Sequence, residues 1–106
     1  MSENIQPILR ELKEKVGRLY GDRLKGIYLF GSHARGEAGQ DSDVDVLIVL
    51  DRVDNYSEEI DRTGEVVSDL SLRSGLTISR VFVSEERWRT DQTNFFLNVR
   101  EEAVPA

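Results

Sequence analysis

Apolar residues recur at helical spacing near the start of the chain. Ile5, Ile8, Leu9, Leu12, Val16 and Leu19 step by three and four with charged residues opposite, which predicts an amphipathic helix over residues 2–20. Ser2 or Asn4 is placed to cap it, Pro7 is tolerated in its first turn, and Gly21 is placed to end it in a left-handed conformation. The pattern then shifts to a short aromatic and aliphatic run, KGIYLF at residues 25–30, stopped by Gly31, and this reads as a strand. Residues 31–43, GSHARGEAGQDSD, read as a loop with at most a short helical turn. Residues 44–50 are apolar at both parities, Val44, Val46, Ile48 and Leu50 on one face and Leu47 and Val49 on the other. Such a strand belongs in the middle of a covered sheet. Helical spacing returns with Tyr56, Ile60, Thr63, Val67, Leu70 and Ser74, a second long helix ended by Gly75. Residues 76–84 (LTISRVFVS) form a third strand and residues 85–89 a helical turn, and Asn94 is placed to cap a last helix carrying Phe95, Phe96 and Val99. The order α-β-(turn)-β-α-β-α describes an α/β (α+β) chain.

Composition narrows the function more than the fold. At 106 residues, one domain spanning 1–106 is expected, hiding roughly 60–70% of the unfolded chain's surface. With no Cys, a disulfide scaffold and a thiolate zinc site are excluded, and a single His leaves little for a His-based metal cluster. A formal charge of −6, from 14 Lys+Arg against 20 Asp+Glu, argues against direct binding of duplex nucleic acid, which needs clustered cations. A polyanionic ligand is then small or metal-bridged. Neither a signal peptide nor a membrane span is legible, so no membrane association is expected and a cytoplasmic location is the default.

The informative segment is LFGSHARGEAGQDSDVDVLIVL at residues 29–50. Gly31 lets backbone approach a ligand, and Ser32 offers a hydroxyl and an amide where a short helix begins, the arrangement of a small anion cradle. A Gly turn followed by a Ser N-cap has the same spelling. Asp43 and Asp45, at i and i+2 on a strand, put two carboxylates on one face. They repel unless a cation lies between them, and Mg²⁺ suits one or two carboxylates completed by water and substrate phosphates. A solvated strand entrance is the alternative, and Asp41 reads as a solvated loop residue. Arg35 is placed either to meet a phosphate or to pair with Glu37 or Asp43. Ser42 reads as a residue that orients a carboxylate or closes a turn, and His33 as an exposed helix residue.

Gly31-Ser32, ten intervening residues, then Asp43-x-Asp45 between two apolar strands resembles the DNA polymerase β-like nucleotidyltransferase superfamily. By length the chain is similar to minimal nucleotidyltransferases, whose GSxARGxxxxxSDxDxxV is nearly the pattern from Gly31 onward. The resemblance implies the polymerase β-like core, a small mixed sheet of at least three strands flanked by helices. It also implies that Gly31 and Ser32 hold the triphosphate tail of a nucleoside triphosphate, ATP foremost, and that Asp43 and Asp45 are catalytic Mg²⁺ ligands. AMP would pass to a hydroxyl on a partner, expected to be a small helical HEPN-type protein in a toxin–antitoxin pair.

One departure counts against catalysis. Active members carry a third carboxylate on the strand after the second helix, and here that strand has none, with Ser79 in the slot. A hydroxyl is neither an anionic ligand nor a general base near neutral pH, and no spacing favours Asp69 or Glu85 as a substitute. The rival reading is therefore a nucleotide-binding or scaffold subunit that neutralises its partner by binding. A P-loop NTPase is excluded, because GxxxxGK[ST] is absent.

Overall fold

The computed structural model describes residues 5–39 and 42–106. The first helix, α1 (Gln6–Tyr20), has Pro7 in its first turn and passes at Gly21 into a 3-10 turn, Gly21–Arg23. The expected caps Ser2 and Asn4, like the loop residue Asp41, lie outside the described residues. Then come β1 (Leu24–Phe30), the short helix α2 (Ser32–Arg35), β2 (Val44–Leu50), α3 (Tyr56–Ser74) and β3 (Ile78–Ser84). Two further helices follow, α4 (Glu85–Thr90) and α5 (Asn94–Glu102), and a two-residue strand, β4 (Val104–Pro105).

The strands form one mixed sheet in the order β3-β2-β1-β4, with β2 antiparallel to β1, parallel to β3, and β4 antiparallel to β1. β2 is central, as its two apolar faces require. Val44, Val46, Ile48 and Leu50 join the core under α1 and α3, whereas Leu47 and Val49 pack with Phe96 and Val99 of α5. The result is three layers, α1 and α3 on one face and α4 and α5 on the other.

Local chemistry explains most boundaries. Asn55 caps α3 by accepting the Glu58 N–H at 3.3 Å, and Ser84 caps α4 by accepting the Arg87 N–H at 3.2 Å. At α5 the expectation fails: Thr93 holds the N-cap position without a side-chain bond, and Asn94 is the first helical residue. In α1 the inner stripe ends on Tyr20 rather than Leu19, which is exposed, because the Tyr20 hydroxyl has a buried partner.

That partner is Glu59, only 4% exposed. Its carboxylate accepts the Tyr20 hydroxyl at 2.7 Å, Arg62 Nη1 at 2.7 Å and Arg23 Nη2 at 3.3 Å. Both guanidinium groups also lie over the Tyr20 ring, at 5.4 and 5.7 Å from its centroid. Burial, then the Glu59 bond, push the Tyr20 hydroxyl above its usual pKa, so it stays a donor. This cluster ties the end of α1 to α3. Glu59→Gln retains the shape and loses the charge, and is expected to lower stability by about 1–2 kcal/mol in urea unfolding. Wild-type stability in that variant would show that the two arginines contribute nothing through charge.

Candidate active site

β1 and β2 deliver the site. Phe30 at the end of β1 pairs with Asp45 near the start of β2, so Gly31 emerges directly beside the Asp45 carboxylate. The Gly31 backbone takes φ 77° and ψ −158°, a region open essentially to glycine alone. An added Cβ would lie 2.3 Å from Asp45 Oδ2. Glycine here serves conformation and close approach together. The Gly31 carbonyl accepts the Ala34 and Arg35 N–H groups at 3.1 Å each, so Gly31 is the N-cap of α2 and Ser32 its first residue, with no side-chain cap bond. A Ser N-cap, the plainer reading of the pair, is not what forms.

A cleft of about 410 Å³ opens there, lined by Phe30, Gly31, Ser32, Arg35 and Asp45 on one side and by Phe95, Asn98, Val99 and Glu102 of α5 on the other. Asp43 is exposed at the strand entrance and is not part of the lining. Its charge still reaches the half-buried Asp45. Desolvation first, and the Asp43 charge second, hold the Asp45 carboxyl above its ordinary pKa, against smaller opposing effects of His33 and Arg35. Among the described residues neither aspartate has a salt-bridge partner. On the other edge of β2, Asp45 is in register with Ser79 of β3. Both share the α5 side of the sheet, so a hydroxyl does stand next to the innermost aspartate.

Arg35 pairs with Glu37 at 3.0 Å, one of the partners its sequence position suggests, and with Glu102 at 3.2 Å, which it does not. Ser42 closes a turn, its Oγ accepting the Gly39 N–H at 2.9 Å. His33 corrects the expectation of exposure: it is 7% exposed because α2 packs on β1 and β2, and the returning loop sets the Ser42 carbonyl 3.3 Å from Nε2. Glu102 escaped sequence reasoning, though it also accepts the Gly31 N–H at 2.7 Å. The available signal was its position three residues after Val99 and seven after Phe95, a charge on the apolar stripe of α5. Among the described residues no group of three His, Asp or Glu side chains is disposed to hold a metal, and no helix is long and apolar enough to cross a membrane.

Comparison with known proteins agrees with this architecture. Residues 9–97 match the model of the nucleotidyltransferase domain. Protein adenylyltransferase MntA of Thermococcus cleftensis is 34% identical over 76 residues, 72% of this chain and 75% of that protein. A structure provisionally identified as a minimal nucleotidyltransferase aligns with a TM-score of 0.68 at 22% identity, covering 98% of this chain and 94% of that one. A complex of tri-AMPylated Shewanella oneidensis HEPN toxin with MNT antitoxin contains a chain that aligns with a TM-score of 0.50 at 21% identity, covering 91% and 69%. With its mixed sheet, its Gly-Ser turn and its paired aspartates, this chain belongs to the nucleotidyltransferase domain family.

Proposed function

We propose that the protein is a Mg²⁺-dependent adenylyltransferase that moves AMP from ATP to a hydroxyl of a HEPN-type partner protein, as the antitoxin half of a toxin–antitoxin pair. The observation that carries the reading is the convergence, on one cleft, of the Gly31-Ser32 turn, the Arg35 guanidinium and the half-buried Asp45 carboxylate. The partner and the transferred group are supported by the relative named a protein adenylyltransferase and by the AMPylated HEPN toxin in the neighbouring complex. Residues 1–106 would act as one domain in the cytoplasm, without binding duplex nucleic acid.

The donor set fits a divalent cation: Asp45 carries a raised pKa because burial has stripped its solvent and, second, because Asp43 is near, and both effects are relieved by positive charge. When bound, Mg²⁺ would neutralise the phosphates and stabilise charge on the α-phosphate and the pyrophosphate. Asp43 and Asp45 would hold it. The Gly31 N–H and the Ser32 hydroxyl and amide would orient the triphosphate tail, and Arg35 would donate a charge-assisted bond to one of its oxygens. The acceptor oxygen then attacks the α-phosphorus as the bond to the pyrophosphate oxygen breaks. The leaving electron pair stays on pyrophosphate and the hydroxyl proton passes to solvent, since Ser79 is no base. These residues contribute position and electrostatics.

The register of Ser79 with Asp45 favours a second reading, a nucleotide-binding subunit that neutralises its partner without modifying it. Transfer of label from α-labelled ATP to a co-purified HEPN partner separates the two. Labelling by wild type that disappears in Asp43→Asn, and rises in Ser79→Asp by as much as the roughly 10²–10⁴-fold of a general base, is expected. A stable complex left unlabelled by all three proteins would establish the binding subunit instead.

A further inference from the structure

Glu102 occupies two of the groups that the reading above gives to phosphate. Its Oε2 accepts the Gly31 N–H at 2.7 Å, and both oxygens lie 3.2 Å from Arg35 Nη1. The side chain is 24% exposed and held from both directions along the chain. Upstream, Phe96 and Val99 anchor α5 in the core. Downstream, β4 pairs with Tyr28 and Leu29, and the Ala106 N–H reaches the Ile27 carbonyl at 3.0 Å.

We propose that Glu102 is a tethered competitor of the nucleotide, a carboxylate that holds the Gly31 amide and Arg35 until a triphosphate displaces it. The inference rests on the nucleotide site described above and adds the residue that sets its affinity. Carboxylates and phosphates accept the same charge-assisted bonds, and one backbone N–H serves one acceptor well. Two anions therefore exclude each other at Gly31. Glu102 is not disposed as an added metal ligand, because both its oxygens are turned to N–H donors. Only the fraction of molecules with Glu102 displaced is competent to bind, and the apparent affinity falls by that fraction.

The test is calorimetric titration of wild type, Glu102→Ala, Glu102→Gln and Glu37→Gln with Mg·ATP, with inorganic triphosphate in Mg²⁺, and with adenosine. Glu102→Ala is expected to tighten Mg·ATP and triphosphate about tenfold, equivalent to about 1.4 kcal/mol, and to leave adenosine unchanged. Glu102→Gln keeps an acceptor for Gly31 and loses the charge, so its gain is smaller and in the same direction; it also carries the test if the alanine variant does not fold. Glu37 pairs with Arg35 from the other side, through Nε, and does not reach Gly31. Its substitution should change affinity less than about twofold, being an exposed pair. Glu102 variants that bind Mg·ATP no tighter than wild type, or more weakly, overturn the competitor and leave the nucleotide site standing. An equal gain in Glu37→Gln reduces the effect to net charge and also overturns it. Absence of Mg·ATP binding in every protein overturns the competitor and the nucleotide site together.

Discussion

Asp45→Asn is expected to abolish Mg²⁺-dependent nucleotide binding while making the fold more stable. The two effects have one cause. Asp45 is half-buried beside Gly31, and its carboxyl is held above the ordinary value of 3.8 by desolvation and by Asp43. The folded state therefore keeps this proton at pH values where the unfolded chain has lost it. Stability is fully present below the unfolded pKa and declines as pH rises through the folded one, so at neutral pH the ionised carboxylate opposes folding. Asparagine keeps the size and removes the charge. The melting temperature of Asp45→Asn should exceed that of wild type at pH 7, and the gap should close as pH falls toward 4. Binding moves the other way: loss of a direct ligand should exceed the roughly 10–100-fold typical of losing an outer-shell partner. In wild type, Mg²⁺ with ATP should raise the melting temperature and ATP with chelator should not. Asp45→Asn should respond to neither. Equal stabilisation of wild type by ATP with and without Mg²⁺, or an undiminished Mg·ATP response in the variant, would remove Asp45 from the site.

What the chain's pattern reveals and what it conceals follow the range of the interactions. β2 was legible because its two apolar parities are a local property, and they map onto the two separate cores. The Gly-Ser turn and Asp45 were legible for the same reason, being close in sequence and held by one strand pair, whereas Asp43 stands just before β2 and not on it. Glu59 and Glu102 were not, since their partners lie up to 39 and 71 residues away. Nothing in local spacing distinguishes such a glutamate from one on a solvated face. His33 failed differently: its burial comes from the packing of its short helix on β1 and β2 and from a loop carbonyl that returns to its ring, neither of which shows as an apolar stripe. The two-residue β4 has a proline as its second residue, and it exists through pairing with β1 rather than through propensity.

Gly31→Ala is expected to damage both fold and site, and Gly36→Ala supplies the measure of each. Both glycines have positive φ, 77° and 74°. Gly36 sits in the left-handed region with ψ 20° and open space where a Cβ would go, so alanine there costs about 1 kcal/mol of backbone preference. Gly31 has ψ −158°, a conformation that costs other residues of order 1–3 kcal/mol. Its Cβ would also meet Asp45 Oδ2 at 2.3 Å and Cγ at 3.2 Å. The terminal oxygen can rotate aside, yet that rotation moves the carboxylate from the position that faces the cleft. Any shift of the Gly31 backbone that relieves the clash withdraws its N–H as well. Gly31→Ala should therefore lose about 2–3 kcal/mol or more of stability and show no Mg·ATP binding at temperatures where it remains folded. Gly36→Ala should lose less stability and bind as wild type does. Denaturant unfolding and calorimetric titration of the two variants side by side give the comparison. Wild-type affinity in Gly31→Ala would mean that neither the close approach to Asp45 nor the position of its carboxylate matters to the nucleotide, and the assigned geometry would fall with it.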